Sequence, residues 1–150
     1  MGRLNPWEGE TPHPVSPEGD FGPVTMTLDR SIPGVLRIDI RGRGGDAEAA
    51  WRRWRHNIAV AREAGLRRIL VVLELSGQVI SEAGLRELVS RVVRLDVGDL
   101  QIAIVQTRQE RYGQDELGSL LAMDQGIRVQ VFPDEATALL WLRHGAGLDG

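Results

Sequence analysis

The chain contains no cysteine, and all 18 of its basic residues are arginine. The first absence excludes disulfides, thiolate metal sites and a thiol nucleophile. The second excludes a Schiff-base amine and the lysine of a phosphate-binding P-loop. Histidine is scarce: His13, His56 and His144 share no metal-ligand spacing and read as solvated surface residues. No metal and no cofactor is therefore expected. Long hydrophobic runs are missing as well. The run Ile69-Leu70-Val71-Val72-Leu73 is far too short to span a bilayer. The opening residues show no apolar stretch behind a basic start, so no signal peptide is expected. Pro6 occupies the position where a myristoylation signal wants serine or threonine. The expected location is the cytoplasm. A net charge of −3 argues against bulk binding to nucleic acid or acidic membranes.

What is present is enough for one domain of 150 residues, 42% of them apolar. Residues 1–22 hold Pro6, Pro12, Pro14 and Pro17 among glycines and few apolar side chains, which reads as a disordered arm. The domain is expected over 23–146, with a disordered tail at 147–150. Val24, Met26 and Leu28 alternate with polar residues, as in a half-buried strand, and Val35–Ile40 repeats the pattern. Asp46 stands where a helix N-cap belongs. Behind it Trp51, Trp54, Ile58 and Ala61 share one helical face, and Gly65 supplies the left-handed stop. Arg68–Leu75 is a strand covered on both faces. Ser81 caps a helix that Gly98 closes, Leu100–Val105 is a strand, and Gln114–Gln125 is a helix with Leu117, Leu120 and Leu121 inward. Ile127–Val131 is the last strand, and a helix from Pro133 to Gly145 ends the domain. The order β-β-α-β-α-β-α-β-α predicts an α/β fold with a mostly parallel central sheet flanked by helices, its first two strands antiparallel.

Three segments invite chemistry. Gly42-Arg43-Gly44-Gly45-Asp46-Ala47 matches the phosphate-cradling turn G-x-G-x-x-A. Asp46 opposes that reading, because it would set a negative charge beside the phosphates, and a plain flexible turn explains the segment better. Arg52, Arg53 and Arg55 interleave with Trp51 and Trp54 as in a nucleic-acid surface. The spacing also suits an amphipathic helix with tryptophans inward and these arginines as its basic wet face. The last helix is apolar nearly all round. It either packs inside the fold or offers a homodimer or partner surface anchored by Trp141.

The segment Leu73–Leu85 resembles the STAS superfamily, the anti-sigma-factor-antagonist domains of bacterial signalling. Leu75-Ser76-Gly77 matches the family's strand end, and Gly84-Leu85 matches the end of its helix-opening motif. Phe132-Pro133-Asp134-Glu135-Ala136 with Trp141-Leu142 is similar to the closing motif of the SpoIIAA-like branch. The resemblance implies a non-catalytic regulatory module that binds a protein partner through Ser76, Gly77, Ser81, Glu82 and Gly84. The family's phosphoacceptor serine falls at Glu82, so the phosphoswitch is not carried over. Glu82 instead fixes a negative charge at a helix N-terminus. The alternative is a small-molecule or lipid-binding SpoIIAA-like domain. No nucleophile–base pair is visible, so an enzyme is not expected.

Overall fold

The computed structural model describes residues 13–15, 23–44 and 46–145. Strands β1 (His13–Val15), β2 (Val24–Asp29), β3 (Val35–Arg43), β4 (Arg68–Ser76), β5 (Gln101–Gln106) and β6 (Arg128–Phe132) form one sheet in sequence order. β1, β2 and β3 pair antiparallel, while β3 to β6 pair parallel. The expected mixed α/β sheet is thus observed. Part of the segment read as a disordered arm, His13–Val15, forms an edge strand on β2. The rest of that arm and the tail lie outside the described residues.

Sequential parallel order has a consequence. Right-handed crossovers that all step the same way place their helices on one face of the sheet. Helices α1 (Ala47–Ala64), α2 (Glu82–Val93) and α3 (Gln109–Asp124) cover that face. Alternation along the strands sends Ile38, Ile69, Val71, Ile102 and Val129 toward them. The other face carries Val35, Leu70, Val72, Ala103 and Val105, packed against the C-terminal segment and Ile32. That segment is α4 (Glu135–Leu140), continued by a π-helical turn over Trp141–Gly145. Helices therefore flank the sheet unequally.

Local signals explain most boundaries. Asp46 Oδ1 accepts from Ala49 N at 3.0 Å, and Gly65 ends α1 at φ 72°. Ser81 caps α2 and Asp134 caps α4 in the same way. Arg37 ties α4 to the sheet through Glu135 Oε1 at 2.6 Å and its neighbour Asp39 Oδ2 at 2.8 Å.

Four boundaries differ from expectation. β3 continues past Ile40 to Arg43, so Gly42 is a strand residue paired with Val24 and Leu75, not part of a phosphate-cradling turn. α2 ends at Val93 rather than near Gly98, because the chain turns through Asp96 at φ 56° to bury Val97. α3 starts at Gln109, five residues early, through a polar first turn that carries no apolar period. The last helix is short and changes pitch at Trp141.

Candidate functional site

The carboxyl ends of β3 and β4 and the loop after β4 form one edge of the fold. Gly44 N donates to the Ser76 carbonyl at 2.9 Å, and Ser76 Oγ to the Gly42 carbonyl at 3.4 Å. Gly77 then turns at φ 87°, a conformation that favours glycine. Ser81 Oγ accepts from Gly84 N at 3.1 Å, and Glu82 pairs with Arg86 at 2.9 Å one helical turn on. A Cβ on Gly84 would meet Ile80 Cγ2 at 2.8 Å, so the bare Cα lets the loop fold over the start of α2. The five residues predicted from the sequence, Ser76, Gly77, Ser81, Glu82 and Gly84, thus lie in one loop-and-cap unit. Ser76 to Val79 are all exposed, including the apolar Val79 at 48%.

α3 holds this loop from below. Arg111 Nη1 donates to the Gly77 carbonyl at 3.0 Å, and the Gln114 side-chain oxygen accepts from Ile80 N. Neither residue was singled out in the sequence. The signal was an inward polar stripe at helical spacing, Arg111, Asp115 and Ser119, which becomes visible only once α3 is started at Gln109.

The other predicted residues lie elsewhere. Trp141 is half-buried on the opposite face of the sheet, 5.6 Å from the Phe132 ring, and its carbonyl accepts from Gln101 Nε2 at 3.0 Å. Leu140 beside it faces outward. Trp51 is buried and Trp54 half-buried, as expected of an inward stripe. Arg53 is a correction: it is 6% exposed and belongs to the buried side, not the basic face. The reason is rotation, since residue 53 lies three after Ala50 and four before Asn57, both buried. Arg52 and Arg55 do face outward, where Arg52 meets Glu48 at 3.4 Å and Arg55 leans over the Trp51 ring. Glu48 also binds Arg91, and Asp99 binds Arg62, so acids interrupt the basic surface. His56 is half-buried rather than solvated, and burial lowers its pKa.

Behind the loop, between the sheet and α1, α2 and α3, is a cavity of about 120 Å³. Its apolar wall includes Ile40, Leu73, Leu88, Val92 and Ile104, and its polar wall includes Arg53, Asn57, Arg111 and Asp115. Arg53 Nη1 donates to the Gly44 carbonyl at 3.1 Å. Burial, aided by the positive charge of Arg111 and opposed by Asp46, pushes Arg53 down to about 10. The Arg53 guanidinium is therefore charged at neutral pH.

Burial raises the pKa of Asp115, against the pull of hydrogen bonds to Gln106 and Gln114 and the charge of Arg111. Gln106 Nε2 donates to Asp115 Oδ2 at 2.8 Å. In the folded chain Asp115 keeps its proton to higher pH than the ordinary 3.8. Across that window the folded state binds more protons, so the acid's contribution to stability declines as pH rises. Asp115→Asn keeps the acceptor oxygen and removes the titration. The variant is expected to melt higher than the wild type near pH 7 and together with it near pH 3. Thermal melts at the two pH values check this, and a lower melt at neutral pH would contradict the direction.

Among the described residues no group of three or more histidines and acids could hold a metal ion, and no helix is long and apolar enough to cross a membrane. No protein-family model, curated protein or solved structure matches the chain.

Proposed function

We propose that the chain is a non-catalytic regulatory module of the STAS kind that meets a protein partner through the surface from Ser76 to Gly84. One observation carries this reading. An exposed loop with an apolar tip at Val79 is anchored from beneath by Arg111 and Gln114, so its shape is fixed before any partner arrives. Binding segments are commonly loops positioned by a rigid scaffold, and a preset shape lowers the ordering cost of association. The β-β-α-β-α-β-α-β-α order after β1 agrees with the same reading. Glu82, standing where the resemblance places a phosphoacceptor, gives the surface a constant negative charge rather than a switched one.

The test is recovery of a protein from native lysate by the wild type, by Val79→Arg and by Glu82→Arg. Both side chains are well exposed, and the Glu82–Arg86 pair is of the exposed kind that adds little to stability. Both variants are therefore expected to melt with the wild type. Each is expected to lose at least about tenfold in partner recovery, the equivalent of about 1.4 kcal/mol. Equal recovery by all three proteins, or none by the wild type, would refute the reading.

A further inference from the structure

The cavity beneath α1, α2 and α3 has two ends of different chemistry. At the loop end the polar groups answer one another. Arg53 donates to the Gly44 carbonyl and feels the charge of Asp46, and Arg111 donates to the Gly77 carbonyl and acts on Asp115. Each guanidinium thus meets a carbonyl and a carboxyl group of the protein, and this end makes no demand for an outside anion.

One helical turn along α1 from Arg53 the situation differs. Asn57 is 2% exposed and lines the cavity. Its Nδ2 donates to Met26 Sδ at 3.8 Å, outside the lining, while its Oδ1 is buried with no hydrogen-bond partner among the described residues. A buried amide oxygen without a donor carries its desolvation cost uncompensated, and such groups are rare enough to need a reason. Space is also left open. α3 lines the cavity with Gly118, Ser119 and Ala122, whereas none of Leu117, Leu120 and Leu121 lines it. A helix on a sheet ordinarily brings its large apolar side chains inward. Most of the remaining wall is leucine, isoleucine and valine from the sheet and α2. Solvent reaches part of it: Leu73, in the middle of the helix-covered face of β4, is only half-buried.

We infer that this cavity is a binding site for a small neutral molecule with an apolar body and one hydroxyl or N–H group, which donates to Asn57 Oδ1. An acceptor with no donor in the protein selects a ligand that carries one, because an analogue without it leaves the oxygen unpaired. A carboxylate is disfavoured, since its oxygens are acceptors only and would face another acceptor. The size follows from the volume. A protein cavity of about 150 Å³ accepts benzene, so about 120 Å³ accommodates a single ring or a short branched chain but no long acyl tail.

Titration of the ¹⁵N-labelled full chain, followed by amide NMR shifts, tests the site. Phenol is the probe, fluorobenzene matches its shape without the donor, and benzoate is the anionic counterpart. Phenol is expected to bind with a dissociation constant below about 1 mM and to shift the Asn57 side-chain amide. Fluorobenzene and benzoate are expected to bind at least about tenfold more weakly. Asn57→Leu keeps most of the volume and removes the unpaired oxygen, so it is expected to melt no lower than the wild type. In that variant phenol is expected to lose its preference over fluorobenzene. Ser119→Leu puts a larger side chain into the cavity while keeping Asn57, and is expected to abolish binding. Absence of saturable phenol binding overturns the inference. So does fluorobenzene or benzoate binding as tightly as phenol, or an unchanged phenol affinity in Ser119→Leu. If Asn57→Leu no longer melts cooperatively, phenol against fluorobenzene on the wild type decides the donor requirement, and the Asn57 amide shift with Ser119→Leu decides the location.

Discussion

Leu142→Ala is expected to destabilise the protein by about 2–5 kcal/mol, whereas Leu140→Ala, two residues away, is expected to change stability by less than about 0.5 kcal/mol. Leu142 is fully buried, and Leu140 is 57% exposed. The difference comes from the sheet's second face. Three helices share the first face, but among the described residues the C-terminal segment is the one helix over Leu70, Val72, Ala103 and Val105. Leu142 enters this cluster with Phe132 and Ala138. Truncating it opens a void where no neighbouring helix can close in, so the cost falls toward the upper end of the range. Urea unfolding of both variants measures the contrast. If Leu142→Ala cost under about 1 kcal/mol, the segment would not be the cover of this face. The pair also separates two readings of the last helix. Its apolar character is explained by burial for Ala138, Leu142 and half-buried Trp141, which leaves Leu140 as its large exposed apolar side chain.

The elements that could be read from the sequence are those with a strong period and a chemical stop. α1 has both: its apolar spacing of three and four begins at Asp46 and ends at Gly65, and the structure places both caps as expected. β4 and β5 declare themselves through apolar runs, because strands covered on both faces need apolar residues at successive positions. α3 misleads for a physical reason. Of its three leucines Leu120 ends up outward while Leu117 and Leu121 are half-buried, and its inward positions Arg111 and Ser119 are polar and line a cavity. Periodicity reports which residues prefer burial, and it fails where polar side chains line an internal cavity. Arg53 is the same case in miniature: flanked by Arg52 and Arg55 it reads as one of a basic cluster, yet its rotation about α1 puts it among core residues. The loop-and-cap unit was legible because its residues are adjacent in the chain. The cavity was not, because Arg53, Asn57, Arg111 and Asp115 meet only after α1 and α3 pack on one face.

Gly42→Ala is expected to be about as damaging as Leu142→Ala, and for a different reason. A Cβ at Gly42 would stand 2.4 Å from the Pro23 carbonyl oxygen and 2.9 Å from Val24 Cα. Both are backbone atoms, so no side-chain rotation relieves the overlap; β2 must move away from β3. The backbone at Gly42 has φ 132°, which costs a side-chain-bearing residue about 1–3 kcal/mol, and forced overlap adds about 1–3 kcal/mol. The expected total is about 2–6 kcal/mol, with β2 the first strand to loosen. Gly34→Ala is the matched control: its φ is 77° and no atom lies within 4 Å of the added Cβ, so only the conformational part applies. The excess cost at position 42 therefore measures how closely β2 approaches β3. That excess also distinguishes two roles for a glycine that matches a phosphate-cradling motif. A glycine kept for a ligand's approach would lose binding at little cost in stability. Gly42 is filled by the protein's own backbone, so its replacement should lower the unfolding midpoint further than the Gly34 control does. Equal losses at the two positions would mean that β2 yields without resistance, and the close strand approach would then have no energetic weight.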